Sequence, residues 1–134
     1  MARRYKPKTG VMVARTPRRG EVWLAVDRDK DHNGKESERK YDNSVQGGTR
    51  TCIVVSNNKG NTHSPNVEVV YTTTAKKNAL PTHFITNTTP IESTVLCEEV
   101  MTVPKKDLTV FYGVLSREET TQLNKCLKIS LELD

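Results

Sequence analysis

Residues 50–74 read RTCIVVSNNKGNTHSPNVEVVYTTT, and this segment is the most informative part of the chain about the fold. Its two ends are rich in β-branched residues, which favour strands, and residues 57–65 between them are rich in residues that favour turns. Two such runs joined by a turn predict an antiparallel hairpin. Because the turn is centred near residue 61, the numbers of paired residues should sum to about 123. This register places Cys52 opposite Tyr71 and Arg50 opposite Thr73.

The sequence on either side of this hairpin predicts further strands and one helix. Residues 20–27 alternate with a period of two, as a strand does. Residues 83–86, 94–97 and 110–115 predict shorter strands. Ser116 and Glu119 then form a capping box that opens a helix, whose apolar positions are Leu123, Cys126, Leu127 and Leu131. The predicted fold is mainly β (α+β): an antiparallel sheet followed by a C-terminal α-helix.

The net charge of +5 is concentrated at the N-terminus. Residues 1–19 hold seven basic side chains and no acidic one, whereas the remaining residues hold 14 basic and 16 acidic side chains, a net charge of −2. We therefore predict a basic N-terminal arm, residues 1–18, followed by a single domain, residues 19–134. Such an arm is either an array of charges that contacts phosphates or a solvated tail.

The cellular compartment is predicted from the cysteines and from the lengths of the apolar runs. Cys52, Cys97 and Cys126 are odd in number, widely spaced and surrounded by apolar residues, which favours buried, reduced thiols. No apolar run has the length of a membrane helix, and none follows the N-terminus as in a signal peptide. We expect a cytoplasmic protein with no membrane association.

Two residues of the hairpin suggest chemistry on phosphate. Arg50 lies at the end of the long polar loop of residues 27–49, and Thr73 lies at the far end of the partner strand. A guanidinium fork and a hydroxyl that converge beside a loop suit phosphate oxygens. A register slip of one residue would bring Thr72 or Thr74 there instead, and from spacing alone a surface arginine and a strand threonine are the simpler interpretation.

Other candidate sites are weaker. The three histidines, His32, His63 and His83, share no motif, and His83 at a strand start is the one most worth testing as an acid or base. Residues 29–34 match the opening of a calcium loop, but Lys40 stands where a bidentate glutamate is required. We predict no metal site and no cofactor.

Six motifs occur in an order that resembles the MazF/PemK (Kid) family of toxins. They are RGEVWLA at residues 19–25, QGGTRTCIVVSN at 46–57, Asn61-x-x-Ser-Pro65, LPTH at 80–83, CEEVMTV at 97–103 and Lys105-x-x-Leu108. The resemblance covers about residues 18–132. It implies an SH3-like barrel with a C-terminal helix, a homodimer, and a toxin of a type II toxin–antitoxin system. It further implies an antitoxin partner with an acidic, disordered tail.

The resemblance also implies an activity and the residues that carry it. The activity is metal-independent, sequence-specific cleavage of single-stranded RNA to 2′,3′-cyclic phosphate and 5′-hydroxyl ends, which inhibits translation. The family's catalytic arginine and threonine fall on Arg50 and Thr73, and its RNA-facing loop falls on Gln46, Gly47 and Gly48. Four further residues are candidates for contacts with RNA: Tyr41, which is placed to stack on a base, and Thr74, Lys76 and His83.

The chain departs from the family pattern at several positions. Thr51 replaces a proline, Glu99 a glutamine, Met101 an arginine and Pro104 an acidic residue. These changes leave the predicted catalytic pair intact and put the base preference in doubt. Two other functions remain open: a gyrase poison like the similarly folded CcdB toxins, and a non-catalytic SH3-like binding module. A pure binding module would not require both Arg50 and Thr73.

Overall fold

The computed structural model describes residue 10, residues 15–27 and residues 48–134. Within these ranges six strands form one antiparallel sheet in the order β4-β5-β3-β2-β1-β6. The sheet curls into a half-barrel with a C-terminal helix, which confirms the predicted fold class. The elements are β1 (Glu21–Val26), β2 (Thr49–Val54), α1 (Asn58–His63), β3 (Asn66–Thr73), β4 (His83–Thr86), β5 (Ser93–Pro104), a 3-10 turn (Lys105–Asp107), β6 (Leu108–Val114) and α2 (Arg117–Leu131).

The predicted pairing of β2 with β3 is confirmed, because Cys52 lies opposite Tyr71 and Val54 opposite Val69. The segment between the two strands differs from the prediction. It contains the short helix α1, which begins where the side chain of Asn57 accepts a hydrogen bond from the amide of Gly60 at 2.7 Å. Asn61 is fully buried and donates to the carbonyl of Ser56. Asparagine side chains that favour turns also cap helices, so composition alone did not separate the two structures.

Strand β5 is longer than the sequence predicted. Residues 94–97 carry the apolar pattern, yet the strand runs over Ser93–Pro104. Tyr71 of β3 pairs with Leu96 of β5, whereas the preceding residue, Val70, pairs with Val100. Between these two pairs β5 advances by four residues and β3 by one. This irregularity contains Glu98 and Glu99, whose charges interrupt the alternation on which the prediction relied. It places Glu98 beside His83 and Glu99 beside Arg50.

Both faces of the sheet are covered by apolar side chains. On one face α2 packs through Leu123, Cys126 and Leu127 against Val22 and its neighbours. The helix opens with the predicted capping box, but Leu131 is exposed and does not belong to the apolar stripe. Of the helices in residues 48–134, none has the length and apolar character needed to span a membrane.

The opposite face is centred on Trp23, which is buried and packs against the ring of Phe111 at 5.5 Å between centroids. The same face includes Cys52, Val54, Val69 and Tyr71. Trp23 is therefore a core residue and is not available to stack on a base. All three cysteines are buried and free.

The residues before β1 are tied to the domain by a buried carboxylate. Glu21 accepts bonds from Arg15 Nη2 at 2.6 Å, from the Arg18 amide at 2.9 Å and from Trp23 Nε1 at 3.0 Å. The guanidinium of Arg19 donates to the carbonyl of Val55 and to the side chain of Asn124. Arg15 and Arg19, two of the basic residues near the N-terminus, thus have partners within the fold.

Candidate functional site

The candidate site lies where β2 begins. Gly48 precedes this strand with a φ of +90°, a conformation that L side chains rarely adopt, and its carbonyl accepts a bond from the amide of Asp27. This bond joins the two described residues on either side of the segment 28–47. Predicted RNA-contact residues Tyr41, Gln46 and Gly47 lie outside the described residues, as do His32 and the calcium-like segment 29–34.

Arg50 is the second residue of β2, and its guanidinium has three neighbours. The carbon of the guanidinium lies 4.2 Å from the centroid of the Tyr71 ring. Nη2 lies 3.4 Å from the carbonyl oxygen of Thr72 and 3.4 Å from Oε1 of Glu99. Both polar distances are long for hydrogen bonds. The side chain remains 24% exposed, so an incoming anion can reach it.

Of the three threonines at the end of β3, Thr73 shares a face with Arg50. Tyr71 lies under the guanidinium, and side chains two residues apart on a strand point the same way. Thr73 Oγ1 accepts a bond from the amide of Ala75 at 3.1 Å, which leaves its hydrogen free to turn towards a ligand. Thr72 is buried on the other face and donates to the carbonyl of Thr51. The pairs between β2 and β3 run from Val54–Val69 to Cys52–Tyr71, and the predicted pairing of Arg50 with Thr73 is an extension of this register by two residues.

Thr74 and Lys76 follow β3 directly, and both are exposed. They lie in the segment that leaves the sheet after Thr73. Their exposure leaves them able to contact phosphates, although an exposed lysine in a loop is common.

His83 of β4 pairs with Leu96 of β5, and Leu96 pairs in turn with Tyr71 of β3. The three residues therefore lie in line across the three strands. Its Nε2 lies 2.9 Å from Oε2 of Glu98, and its Nδ1 is buried without a hydrogen-bond partner among the described residues. Only 6% of the side chain is exposed. The exposed part of the His83 ring is therefore small, and its Nε2 faces Glu98.

Glu98 is held by two side chains. Partial burial alone would raise its pKa, but hydrogen bonds from His83 and Thr82 outweigh that effect and hold the pKa of the Glu98 carboxyl below its usual value. Glu98 thus stays ionised at neutral pH, with one oxygen bound to Thr82 and the other to His83. Glu99 faces Arg50 instead.

The cysteine beside Arg50 is not a nucleophile. Burial raises the pKa of the Cys52 thiol to about 12, although the nearby Arg50 charge lowers it slightly. A thiol with this pKa is protonated at neutral pH, and the thiolate is the reactive form. Across residues 15–27 and 48–134, no three histidine, cysteine or acidic side chains come together as metal ligands would.

The chain matches a known protein family over most of its length. The model of the PemK-like, MazF-like toxins of type II toxin–antitoxin systems matches residues 18–131. The chain is also 30% identical over 122 residues to Endoribonuclease MazF of Staphylococcus epidermidis, an alignment that covers 87% of this chain and 92% of that protein.

Solved structures share the fold at lower identity. An endoribonuclease in complex with its cognate antitoxin, from a mycobacterial species, superposes with a TM-score of 0.68 at 23% identity, covering 88% of this chain and 97% of that one. A crystal structure of MazF from Deinococcus radiodurans has a TM-score of 0.65 at 16% identity, covering 89% and 99%. At these identities the likeness concerns the fold.

Proposed function

The chain belongs to the PemK-like, MazF-like toxin family of type II toxin–antitoxin systems. From that premise we propose that it is an endoribonuclease that cleaves single-stranded RNA, with Arg50 and Thr73 as its catalytic residues. The observation that supports this proposal is a partly exposed guanidinium near the start of β2 that lies over Tyr71, two residues before the strand-end hydroxyl of Thr73. A gyrase poison or a pure binding module has no need of this pair.

The chemistry we propose uses the nucleophile that RNA supplies. The 2′-hydroxyl loses its proton as its oxygen forms a bond to the adjacent phosphorus, the bond from phosphorus to the 5′-oxygen breaks, and the departing 5′-oxygen takes up a proton. The products are a 2′,3′-cyclic phosphate and a free 5′-hydroxyl. Because the nucleophile is already beside its target, orientation supplies much of the acceleration. DNA lacks the 2′-hydroxyl and is not cut.

Arg50 and Thr73 have different roles in this scheme. Negative charge gathers on the phosphoryl oxygens in the transition state, and the Arg50 guanidinium stabilises it with charge-assisted hydrogen bonds. A guanidinium carries hydrogen-bond donors and no acceptor, so the base must be another group. Thr73 adds a neutral hydroxyl bond to the same oxygens. We further propose that RNA flanking the cut contacts Gln46, Gly47, Gly48, Tyr41, Thr74, Lys76 and His83.

One experiment tests the activity, its independence of metal and its sequence preference together. Pure protein is incubated with a long RNA in EDTA, and the new 5′ ends are mapped. We expect cuts at recurring short sequences, 5′-hydroxyl ends, and no cutting of the matching DNA. Random cutting, or activity that returns only when a divalent metal is added, would contradict the proposal.

We propose that the toxin acts as a homodimer with a two-fold interface. Exposed apolar side chains on the edge strands, Ile85 on β4 and Val114 on β6, leave surface that a second copy can cover. Light scattering at micromolar concentration should therefore report about 30 kDa, twice the 15.1 kDa of one chain. A mass of one chain under these conditions would be evidence against the dimer.

We propose that an antitoxin with an acidic, disordered tail inhibits the toxin by covering Arg50. A carboxylate can take the place of a phosphate beside a guanidinium, and Glu99 already lies there. Adding the antitoxin should block RNA cleavage and slow hydrogen exchange of the amides of residues 48–52. Because its ion pairs are partly exposed, affinity should fall with salt. Full inhibition with unchanged exchange at these amides would point to a remote site.

We propose that residues 19–134 form the toxin domain, preceded by a basic arm of residues 1–18. The family match begins at residue 18, which supports this boundary. We also place the toxin in the cytoplasm, where messenger RNA is translated. The free, buried cysteines are compatible with a reducing compartment.

A further inference from the structure

The described contacts of Arg50 are with its own chain: a ring on one side and a carboxylate at one end. Tyr71 pairs with Cys52, the residue two positions after Arg50, and its side chain is buried on the same face. The guanidinium lies over its ring at 4.2 Å. Glu99 reaches the guanidinium from the irregularity in β5, 49 residues further along the chain. Neither neighbour has a part in the chemistry described above.

The ring restricts how the guanidinium can lie. A cation over an aromatic face is attracted to it, and stacking holds the flat guanidinium roughly parallel to the ring. The position of Tyr71 is itself fixed, because the residue is buried in the middle of the sheet between β2 and β5. A long, flexible side chain is thereby oriented by a rigid one. The ring covers one face of the guanidinium, so a phosphate must approach its edge or its other face.

The carboxylate competes for the same donors. Oε1 of Glu99 lies 3.4 Å from Nη2, and 43% of the Glu99 side chain is exposed, so this ion pair is weak and readily broken. Neighbouring Glu98 cannot replace it, since its two oxygens are bound by Thr82 and His83. A bound phosphodiester and Glu99 cannot both approach Nη2 closely, because like charges repel.

We infer that Tyr71 is a positioning residue that orients Arg50 for phosphate, and that Glu99 is a counter-ion that phosphate displaces from Arg50. The inference rests on the proposed function and adds two residues, one that affects the rate of cleavage and one that affects the affinity for RNA. Tyr71 acts on the rate of the cleavage step through Arg50. Glu99 lowers the affinity for RNA, because each binding event must first separate an ion pair.

The role of Tyr71 is tested with Tyr71→Phe and Tyr71→Leu, measured as kcat and KM on a short single-stranded RNA. Tyr71→Phe keeps the ring face, so kcat should stay within about twofold of the wild type, whereas Tyr71→Leu should lower kcat about tenfold. KM should change by less than about threefold in both. If Tyr71→Leu is too unstable, Tyr71→Met fills more of the space and also lacks an aromatic face.

Phe111→Leu is the matched control, since Phe111 lies on the same face and packs against Trp23, away from Arg50. It should lower the melting temperature and leave kcat unchanged. Equal kcat values for wild type, Tyr71→Phe and Tyr71→Leu would overturn the role of Tyr71. So would equal losses in Tyr71→Phe and Tyr71→Leu, which would assign the effect to the hydroxyl group.

The role of Glu99 is tested with Glu99→Gln, and Glu118→Gln on the exposed side of α2 is the control for net charge. Glu99→Gln should lower KM and raise kcat/KM about two- to fivefold at low salt, and the gain should disappear near 1 M salt. Glu118→Gln should change neither. An unchanged or lower kcat/KM, or an altered base preference at the cut, would overturn the role of Glu99.

Failure of this inference is distinguishable from failure of the proposed function. If Arg50→Ala abolishes cleavage while the Tyr71 and Glu99 variants behave as wild type, only the inference fails. If Arg50→Ala cuts RNA normally, the proposed site itself fails.

Discussion

Replacing Arg50 by alanine should slow RNA cleavage by at least about 10²-fold, the loss typical of removing one preorganised donor from a charged transition state. Thr73, the other member of the proposed pair, carries no charge and cannot replace the guanidinium. Arg50→Lys should recover little, because an ammonium lacks the planar fork that matches two phosphate oxygens. The measurement is the single-turnover rate on a short RNA with one cut site.

The fold should survive both Arg50 substitutions, because the side chain is partly exposed and its polar contacts are long. Circular dichroism and the melting temperature check this point. In the same assay Thr73→Ala should lose about 10- to 10²-fold, since a neutral hydroxyl contributes less to charge stabilisation than a guanidinium. A folded Arg50→Ala protein that cuts at the wild-type rate would show that the cleavage centre lies elsewhere.

Replacing Glu119 by alanine should cost about 2 kcal/mol of folding free energy or more, because several donors would lose a charged acceptor at once. Its carboxylate accepts bonds from the hydroxyl of Thr86 at 2.6 Å, the hydroxyl of Thr88 at 2.9 Å and the amide of Ser116 at 2.9 Å. The amide of Asn87 lies 3.3 Å away. Thr86 is fully buried, so its hydroxyl would be left without this acceptor and without water.

The pKa of the Glu119 carboxyl also predicts how folding stability depends on pH. Partial burial acts to raise the pKa of Glu119, but the bonds from Thr86, Ser116 and Thr88 prevail and hold it below the ordinary value of 4.5. A lowered folded-state pKa means that the stabilisation is present above pH 4.5 and is lost as the pH falls through the folded-state pKa. The wild type should therefore lose stability below pH 4.5 more steeply than Glu119→Ala.

Thermal unfolding at pH 7 and at pH 3–4 measures both effects, with Glu118→Ala as the matched control in the same helical turn. Glu119→Ala should melt roughly 6 °C lower at pH 7, whereas Glu118→Ala should melt within about 2 °C of the wild type. Equal melting temperatures for the two variants at pH 7 would mean that the link between α2 and residues 86–88 contributes little.

Features that depend on neighbouring residues could be predicted from the amino-acid sequence. The alternation of residues 20–27 gave β1, and the capping box at Ser116 gave the start of α2. The register of β2 with β3 followed from the centre of the segment between them, because a compact connection forces its flanking strands to pair symmetrically, whether it is a turn or a helix. That register was enough to set Arg50 and Thr73 on one face.

The surroundings of Arg50 and Thr73 could be known only from the tertiary structure. Tyr71 reads as an ordinary core residue in the sequence, and only the pairing of β2 with β3 puts its ring under Arg50. Glu99 reads as an interruption of a short strand, and only the irregularity in β5 brings it to the guanidinium. Contacts between residues far apart in the chain depend on how strands pair and where they slip. The local sequence pattern does not predict strand pairing or strand irregularities of this kind, because the energy that fixes them comes from packing the whole sheet.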